Sequence, residues 1–494
     1  MRNLFFFFLA LLATNAATGA ERNILLIIAD DHGCDAGCYG NSVVNTPSID
    51  ALALDGTLFT HSFCTTASCS ASRSVILTGM HNHANGQYGH AHDYHKFSTW
   101  VNAASLPVYL KYAGYRTARC GKFHVDPESV YGFEKIIPGG GRNDEEMADN
   151  CAGFISQPDE RPFFLYFCFS DPHRGGGVDH SKPHSPNQFG NETASVADVR
   201  NEYSPEKIVV PGFLPDTPAC REELAEYYQA VTRFDAAIGR LLQHLKDAGV
   251  YDRTLVIYMS DHGIAMPGAK TTLYEGGMHS PLVVRNPYAK TRGIENNAMI
   301  SWVDITPTML DFAGILDANT TKVEQGVVAK LEQKAQQSDG LKKDYASPGT
   351  LHGRSFLSIL EKTDPAGWDE VFASHTFHEI QMYYPMRAVR ERKYKLIWNI
   401  ACGLPFPFAS DLWAASTWQE QFKQGPEAPY GPWTVDSYIH RPAFELFDIQ
   451  ADPHESKNLA DDHRYADTLE RMKVKLKEYQ RRTNDPWILK WQYE

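Results

Sequence analysis

The stretch Asn23 to Ala29, NILLIIA, running straight into Asp30-Asp31-His32-Gly33, decides the fold class. Ile24 to Ala29 show no polar alternation, so a strand built from them must be covered on both faces, as interior strands of parallel sheets are. Thr46-Pro47 then reads as an N-cap with proline at the first helical position, and Ile49, Leu52 and Leu54 follow at roughly helical spacing. Strand gives way to helix, and the alternation recurs. Arg161 to Phe169 (RPFFLYFCF) runs into Ser170-Asp171-Pro172-His173, and Leu255 to Met259 (LVIYM) runs into Ser260-Asp261-His262-Gly263. Between them Thr217-Pro218 opens a long helix. Its residues Leu224, Tyr228, Val231, Phe234, Ile238, Leu241 and Leu245 share one face, and Gly249 closes it. The fold class is therefore α/β, a central, mostly parallel sheet flanked by helices. In open α/β sheets the crevice lies beyond the carboxyl ends of the strands, so these three acidic and histidine-bearing ends are expected to meet at one site.

Around this frame, residues 173–205 read as a long Gly-, Pro- and His-rich loop bordering the crevice, and residues 320–345 as a solvated helical insertion. Strand-like runs over 388–400 and a late helix near 465–479 predict a smaller α+β domain. The expected division is a leader at 1–20, a catalytic domain at 21–365 and a C-terminal α+β subdomain at 366–494. Arg2, the apolar run Leu4 to Leu12 and the small residues ending in Thr18-Gly19-Ala20 have the form of a secretory signal peptide. The expectation is export: periplasmic or extracellular in a bacterium, lysosomal in an animal.

The 494 residues, 43% hydrophobic and 22% charged, exclude wholesale disorder and a multi-span membrane protein. Lys and Arg number 47 against 60 Asp and Glu, a net charge of −13. Such a surface repels polyanions and argues against nucleic-acid and membrane binding. An anionic ligand would need a local basic pocket. Nine cysteines are too few for a disulfide scaffold, and the odd count leaves one thiol over.

Cys69-Ser70-Ala71-Ser72-Arg73 precedes Ser74 to Gly79, a short helix closed by glycine, which places Cys69 at a helix N-terminus where backbone N–H groups favour an anion. Cys-x-Ala-Ser-Arg resembles the signature of the type I sulfatases, whose cysteine is oxidised to formylglycine. The resemblance covers nearly the whole chain after residue 20: Asp30 to Gly33, Thr46 to Phe59, Gly121 to His124, Asp171 to His173, Ser260 to Gly263, and Glu445 to Asp448 through Asn458-Leu459. Ser68 to Gly89, Gly268 to Tyr274, Tyr384 to Arg387 and Leu404 to Phe408 favour the branch that acts on N-sulfated glucosamine.

The resemblance implies an alkaline-phosphatase-like fold and a hydrolase that removes sulfate from a glycan, the N-sulfate of a terminal glucosamine in heparan-type chains being preferred. It implies that Asp30, Asp31, Asp261, His262 and modified Cys69 hold one divalent cation. Three carboxylates suit Ca²⁺, although His262 is softer than the asparagine many relatives carry there. It implies that a hydroxyl of hydrated formylglycine takes the sulfuryl group and that the second hydroxyl releases sulfate. Arg73 and Lys122 would stabilise the diol and sulfuryl oxygens, His124 would be the base that collapses the sulfated diol, and Asp261 would accept the first proton. His173 and Lys270 would face the leaving group, a protonated His173 serving as general acid. His90, Asp171, His378, Glu379 and Arg387 are the expected substrate-side residues. A formylglycine-generating enzyme is the implied maturation partner, and relatives often form homodimers. A cysteine that follows the His-Arg pair in the N-sulfatase branch is Gly175 here, so no local disulfide carries over.

Three alternatives remain open to the sequence: an O-sulfatase acting on another sulfated sugar, a phosphonate or phosphodiester hydrolase, and a glycan-binding protein in which Cys69 stays a thiol.

Overall fold

The computed structural model describes residues 22–175, 189–191 and 203–493. The expected signal peptide and most of the expected 173–205 loop lie outside the described residues. Among the described residues, no helix is long and apolar enough to cross a membrane.

An eight-stranded sheet forms the core, with strand order β4-β3-β5-β1-β6-β7-β2-β8. These are β1 (Asn23–Ala29), β2 (Thr57–Phe63), β3 (Arg116–Gly121), β4 (Lys135–Ile137), β5 (Phe163–Cys168), β6 (Thr254–Ser260), β7 (Leu282–Arg285) and β8 (Ile294–Ser301). The three apolar runs that decided the fold class lie side by side at its centre. β1 pairs in parallel with β5 on one edge and β6 on the other, and every residue of β1, β5 and β6 is buried. Each fully buried Ile or Leu here contributes roughly 1.5–3 kcal/mol, and the absence of a polar face is what places the strand inside.

The sheet is mixed. β7 runs antiparallel to both β6 and β2, while β2 and β8 pair in parallel. A parallel return needs a crossover of a dozen or more residues, usually a helix. The connection over residues 261–281 is long enough for that, but it holds only the four-residue helix Glu275–Met278 and lines the strand ends, and the chain comes back antiparallel.

Helix α1 (Pro47–Leu54) has Thr46 at its N-cap, but the hydroxyl makes no cap hydrogen bond. It accepts from Gly37 N at 2.8 Å and donates to Asp50 Oδ1. The helix start is satisfied across space by Asp235, which accepts from Ser48 N (3.0 Å) and Ile49 N (2.9 Å). Helix α2 (Cys69–Thr78) and the long α3 (Pro218–Asp247) match their sequence signals. Thr217 caps α3 by accepting from Cys220 N, and Gly79 closes α2 at φ +67°. The expected solvated insertion carries a helix, Gln325–Gln336, that buries Val327, Val328 and Leu331, so one face is not solvated.

The C-terminal region forms a four-stranded antiparallel sheet of β9 (Glu370–His375), β10 (Met386–Glu391), β11 (Tyr394–Asn399) and β12 (Phe444–Asp448). Strand period sorts its residues into two layers. Ala373, Ala388, Ile397 and Phe447 join the main core. Phe372, Val389, Leu396 and Leu446 face Met472, Leu476 and Tyr479 of α4 (Ala466–Arg482). The two sheets thus share a core, and residues just beyond β9 reach the crevice of the larger one.

Candidate active site

Parallel pairing of β1 with β6 sets Ala29 opposite Ser260, so the next residues, Asp30 and Asp261, emerge side by side. Asp261 N donates to Ala29 O (3.1 Å), Asp30 N donates to Asp171 O (3.0 Å), and the carboxylate of Asp261 accepts from Asp31 N (3.1 Å) and His262 N (3.0 Å). Asp31 adopts φ +69°, a left-handed conformation uncommon for a non-glycine residue, which these bonds hold in place. Ser72 Oγ and Trp302 Nε1 both donate to Asp261 O.

Helix α2 presents Cys69 at its first position, and all ten of its residues are buried. The thiol lies 3.8 Å from Asp31 Oδ1 and 3.3 Å from His262 Nε2. Burial pushes the Cys69 thiol well up, so the unmodified side chain is a protonated thiol and a poor nucleophile. Arg73, one turn along, is fully buried. Its Nε donates to Asp261 Oδ2 (3.0 Å), its Nη2 to Asp30 Oδ1 (3.1 Å) and its Nη1 to Lys122 O (3.2 Å). Each guanidinium nitrogen has a protein partner, which makes Arg73 the brace of the carboxylates.

Lys122 and His124 arrive from the end of β3. The turn requires Gly121: it has φ +81°, and a Cβ there would stand 2.0 Å from Cys168 O. Lys122 Nζ pairs with Asp30 Oδ2. Lys270 Nζ donates to Asp31 Oδ2 (2.9 Å), Asp411 Oδ2 (3.0 Å) and His173 Nε2 (3.0 Å). The side chains of Lys122 and His173 are 19% and 26% exposed, and they form the open side of an otherwise buried group. Burial, then Lys270 and Lys122, push His173 well down, so it is neutral in this state. The expected protonated acid is therefore not loaded here, because Nε2 accepts from Lys270.

A second ring of side chains adjoins this group. His90 is buried and its Nε2 meets His378 Nε2 at 2.9 Å, while His378 Nδ1 meets Ser68 Oγ at 3.0 Å. His124 Nε2 meets His92 Nδ1 at 2.5 Å, and the His124 ring stacks on His90 with centroids 4.7 Å apart. Burial, then Lys122, His90 and His92, hold His124 well below its usual range, in the form a general base requires.

Asp30, Asp31, Cys69, Arg73, Lys122, His124, His173, Asp261, His262 and Lys270 thus gather at one strand-end crevice, and His90 and His378 border it. Asp171 and Arg387 are corrections to the substrate-side expectation. Asp171 is buried, and its carboxylate is claimed by Arg142 and by Arg233, which donates at 2.6 Å. Arg387 makes a fully buried bidentate pair with Asp485, at 2.6 and 2.8 Å, and donates to His375 O. With both oxygens of Asp171 and all three guanidinium nitrogens of Arg387 satisfied inside the fold, neither is available to a ligand. Glu379 lines a cavity of about 490 Å³ with Pro405, Phe408, Ser410 and Trp413. Asp411 was not among the expected residues. Its only sequence signal is its place three residues after Leu404 to Phe408.

One ligand atom from each of Asp30, Asp31 and Asp261 falls within 4.8 Å of the others, as do ligand atoms of Cys69, Asp261 and His262. All of these residues are buried. Burial, with Asp30 and Asp261 beside it, pushes the Asp31 carboxyl up despite Lys270 and His262, so crowded anionic oxygens lack full compensation there. That donor set fits a divalent cation. Among the described residues the nine cysteines, Cys34 and Cys38 included, are all free thiols.

A model of the Sulfatase family matches residues 22–315. Human N-sulphoglucosamine sulphohydrolase is 38% identical over 97% of this chain and 93% of its own length. An ulvan-active sulfatase of Formosa agariphila is 26% identical over 94% of this chain and 80% of its own. Among solved structures, one described in complex with its substrate D-glucosamine-2-N,6-O-disulfate superposes with a TM-score of 0.63, at 20% identity over 94% of this chain and 99% of its own. The phosphonate monoester hydrolase of Agrobacterium radiobacter gives 0.61 at 20% identity over 94% and 96%. These structural likenesses establish the shared fold.

Proposed function

This chain belongs to the sulfatase family, and we propose that it hydrolyses the N-sulfate of a terminal glucosamine in a heparan-type glycan, with Ca²⁺ held by Asp30, Asp31, Asp261 and His262 and with Cys69 converted to formylglycine. The observation that carries this reading is the placement of Cys69 Sγ, 3.8 Å from Asp31 and 3.3 Å from His262, beside three buried carboxylates, in a chain that aligns almost end to end with a sulfamate hydrolase.

When bound, the cation supplies positive charge that acidifies a coordinated hydroxyl, and hydrated formylglycine supplies two hydroxyls on one carbon, one to receive the sulfuryl group and one to drive its release. The remaining work falls to the chain's own side chains. Arg73 keeps Asp30 and Asp261 in place through charge-assisted hydrogen bonds. Lys122 and Lys270 present fixed positive charge in a nearly water-free pocket to the sulfuryl oxygens. An arriving sulfamate anion compensates the charge of Lys270, which raises the proton affinity of His173. His173, whose side chain is partly exposed, takes up a proton from solvent and passes it to the departing nitrogen as the N–S bond breaks. His124, neutral and beside Lys122, takes the proton whose loss releases sulfate.

Residues 1–20 direct export in this reading, and a formylglycine-generating enzyme acts before folding buries Cys69. The test is turnover of N-sulfoglucosamine, its 6-O-sulfated isomer and a phosphodiester by the mature enzyme, with Cys69→Ala as control. Preference for the sulfamate, lost in Cys69→Ala, is expected. Faster turnover of the 6-O-sulfate or the diester overturns the substrate assignment, and a Cys69 peptide with the mass of an unmodified thiol overturns the enzymatic one.

A further inference from the structure

We propose that His90, His92 and His124 form a second metal site, selective for a borderline transition ion such as Zn²⁺, whose occupation switches the enzyme off. One nitrogen from each ring lies within 4.8 Å of the others. The ring centroids stand 5.0 Å apart for His90 and His92 and 4.7 Å apart for each of them and His124. A tetrahedral ion with Zn–N bonds of about 2.0–2.1 Å holds neighbouring nitrogens about 3.3 Å apart, so modest ring rotations close this group on an ion.

Two further observations point to a ligand. His124 Nδ1, the nitrogen on the far side from His92, is buried without a hydrogen-bond partner, an expensive state for a polar atom, so no protein contact on that side holds the ring against rotation toward an ion. His92 Nδ1 and His124 Nε2 face each other at 2.5 Å, so two nitrogens converge with at most one proton between them. His92 faces solvent and gives an ion its entry route. Both His90 nitrogens have partners, Nε2 meeting His378 Nε2 at 2.9 Å and Nδ1 meeting Ser70 Oγ at 3.3 Å, so His90 joins an ion by giving up one of these contacts while the other orients the ring from a second layer. His95 stands outside the set: its ring centroid is 6.2 Å from that of His90, and its Nδ1 accepts from Ile380 N at 3.0 Å.

The two sites differ in chemistry. Asp30, Asp31 and Asp261 offer hard oxygens that suit Ca²⁺, whereas three neutral imidazoles suit Zn²⁺ or Cu²⁺. The second site therefore fills without displacing the first. The inhibitory part rests on the proposed role of His124, whose nitrogen lone pair the ion would occupy.

The test uses the mature enzyme in excess Ca²⁺, dialysed against Zn²⁺ and analysed for bound metal, with Co²⁺ absorption as a spectroscopic probe. One zinc per chain beyond the calcium site is expected, with turnover falling in proportion to occupancy. His92→Ala should lose that zinc and its inhibition by at least tenfold in Zn²⁺ concentration, while His95→Ala keeps both. Equal thermal midpoints verify that each variant folds. No additional zinc, or full zinc retention in His92→Ala, overturns the site. Zinc bound in a His92-dependent way with turnover unchanged leaves the site standing and overturns His124 as the base.

Discussion

Lys270 Nζ lies 3.0 Å from Asp411 Oδ2 and 2.9 Å from Asp31 Oδ2, so one ammonium joins the candidate metal cradle to a carboxylate 141 residues further along the chain. Burial pushes Asp411 up, but Lys270 outweighs it and holds the carboxyl at about 2, so the pair is ionised throughout the working range. Asp411→Asn keeps the shape and removes the charge. Lys270 then leans toward Asp31 and away from the leaving group. We expect kcat/KM to fall about 10- to 100-fold, about 1.4–2.8 kcal/mol, chiefly in kcat, with the thermal midpoint little changed. Steady-state kinetics on N-sulfoglucosamine checks this.

Arg387 and Asp485 lock β10 to the end of α4 as a fully buried pair. Removing one partner strands the other charge, so Arg387→Ala should destabilise by about 3–5 kcal/mol. The double variant with Asp485→Ala should recover part of this loss. Urea unfolding measures both. Because Arg387 does not border the crevice, turnover per folded molecule should equal that of the parent, and a selective rise in KM would return it to the substrate side.

A buried histidine cluster should contribute to acid sensitivity. His81 and His83 stack at 5.5 Å beside His352. Burial holds His83 down at about 4 and His352 down at about 3. The unfolded chain, with ordinary histidines near 6.5, therefore binds more protons, and stability falls as pH drops from about 6.5 toward 4. Each of these two groups accounts for up to about 3 kcal/mol over that window. Unfolding midpoints across this range should decline, and His352→Asn should flatten the slope.

Calcium should stabilise the fold, by about 2.7 kcal/mol at a hundredfold excess over Kd. Chelation should lower the thermal midpoint correspondingly. Asp261→Asn, which weakens both the carboxylate cradle and the Arg73 brace, should abolish the calcium-dependent shift. A calorimetric scan with and without Ca²⁺ reads this directly, and an unchanged shift in Asp261→Asn would place the ion elsewhere.

Much of the fold was legible because its signals are local. β1, β5 and β6 announce themselves as apolar runs, and the cap and stop of α3 sit where Thr217 and Gly249 predicted. The antiparallel β7 was hidden, because its direction follows from how residues 261–281 cross the strand ends rather than from its own composition. Thr46 misled in a similar way: its sequence position is that of a cap, but the donor groups it would have served are taken by Asp235 from α3.

The site divides along the same line. Asp30, Asp261, Cys69 and Lys122 stand in motifs beside strand or helix ends, so their meeting follows from strand order. Asp411 could not be read, since nothing near it in the chain indicates that Lys270 is its partner. Asp171 and Arg387 looked like ligand-binding residues because charge in a motif carries no record of which opposite charge will neutralise it.

From residue order alone come the class of the fold, the identity of the cysteine at the head of α2 and the acidic strand ends, because periodicity, caps and motifs act over a few residues. Which charges stay open to a ligand, that Arg73 braces carboxylates, and that three imidazoles converge beside Lys122 were decided only in three dimensions. Hydrogen bonds and ion pairs are settled by proximity and burial, and the chain establishes both only when distant segments close on one another.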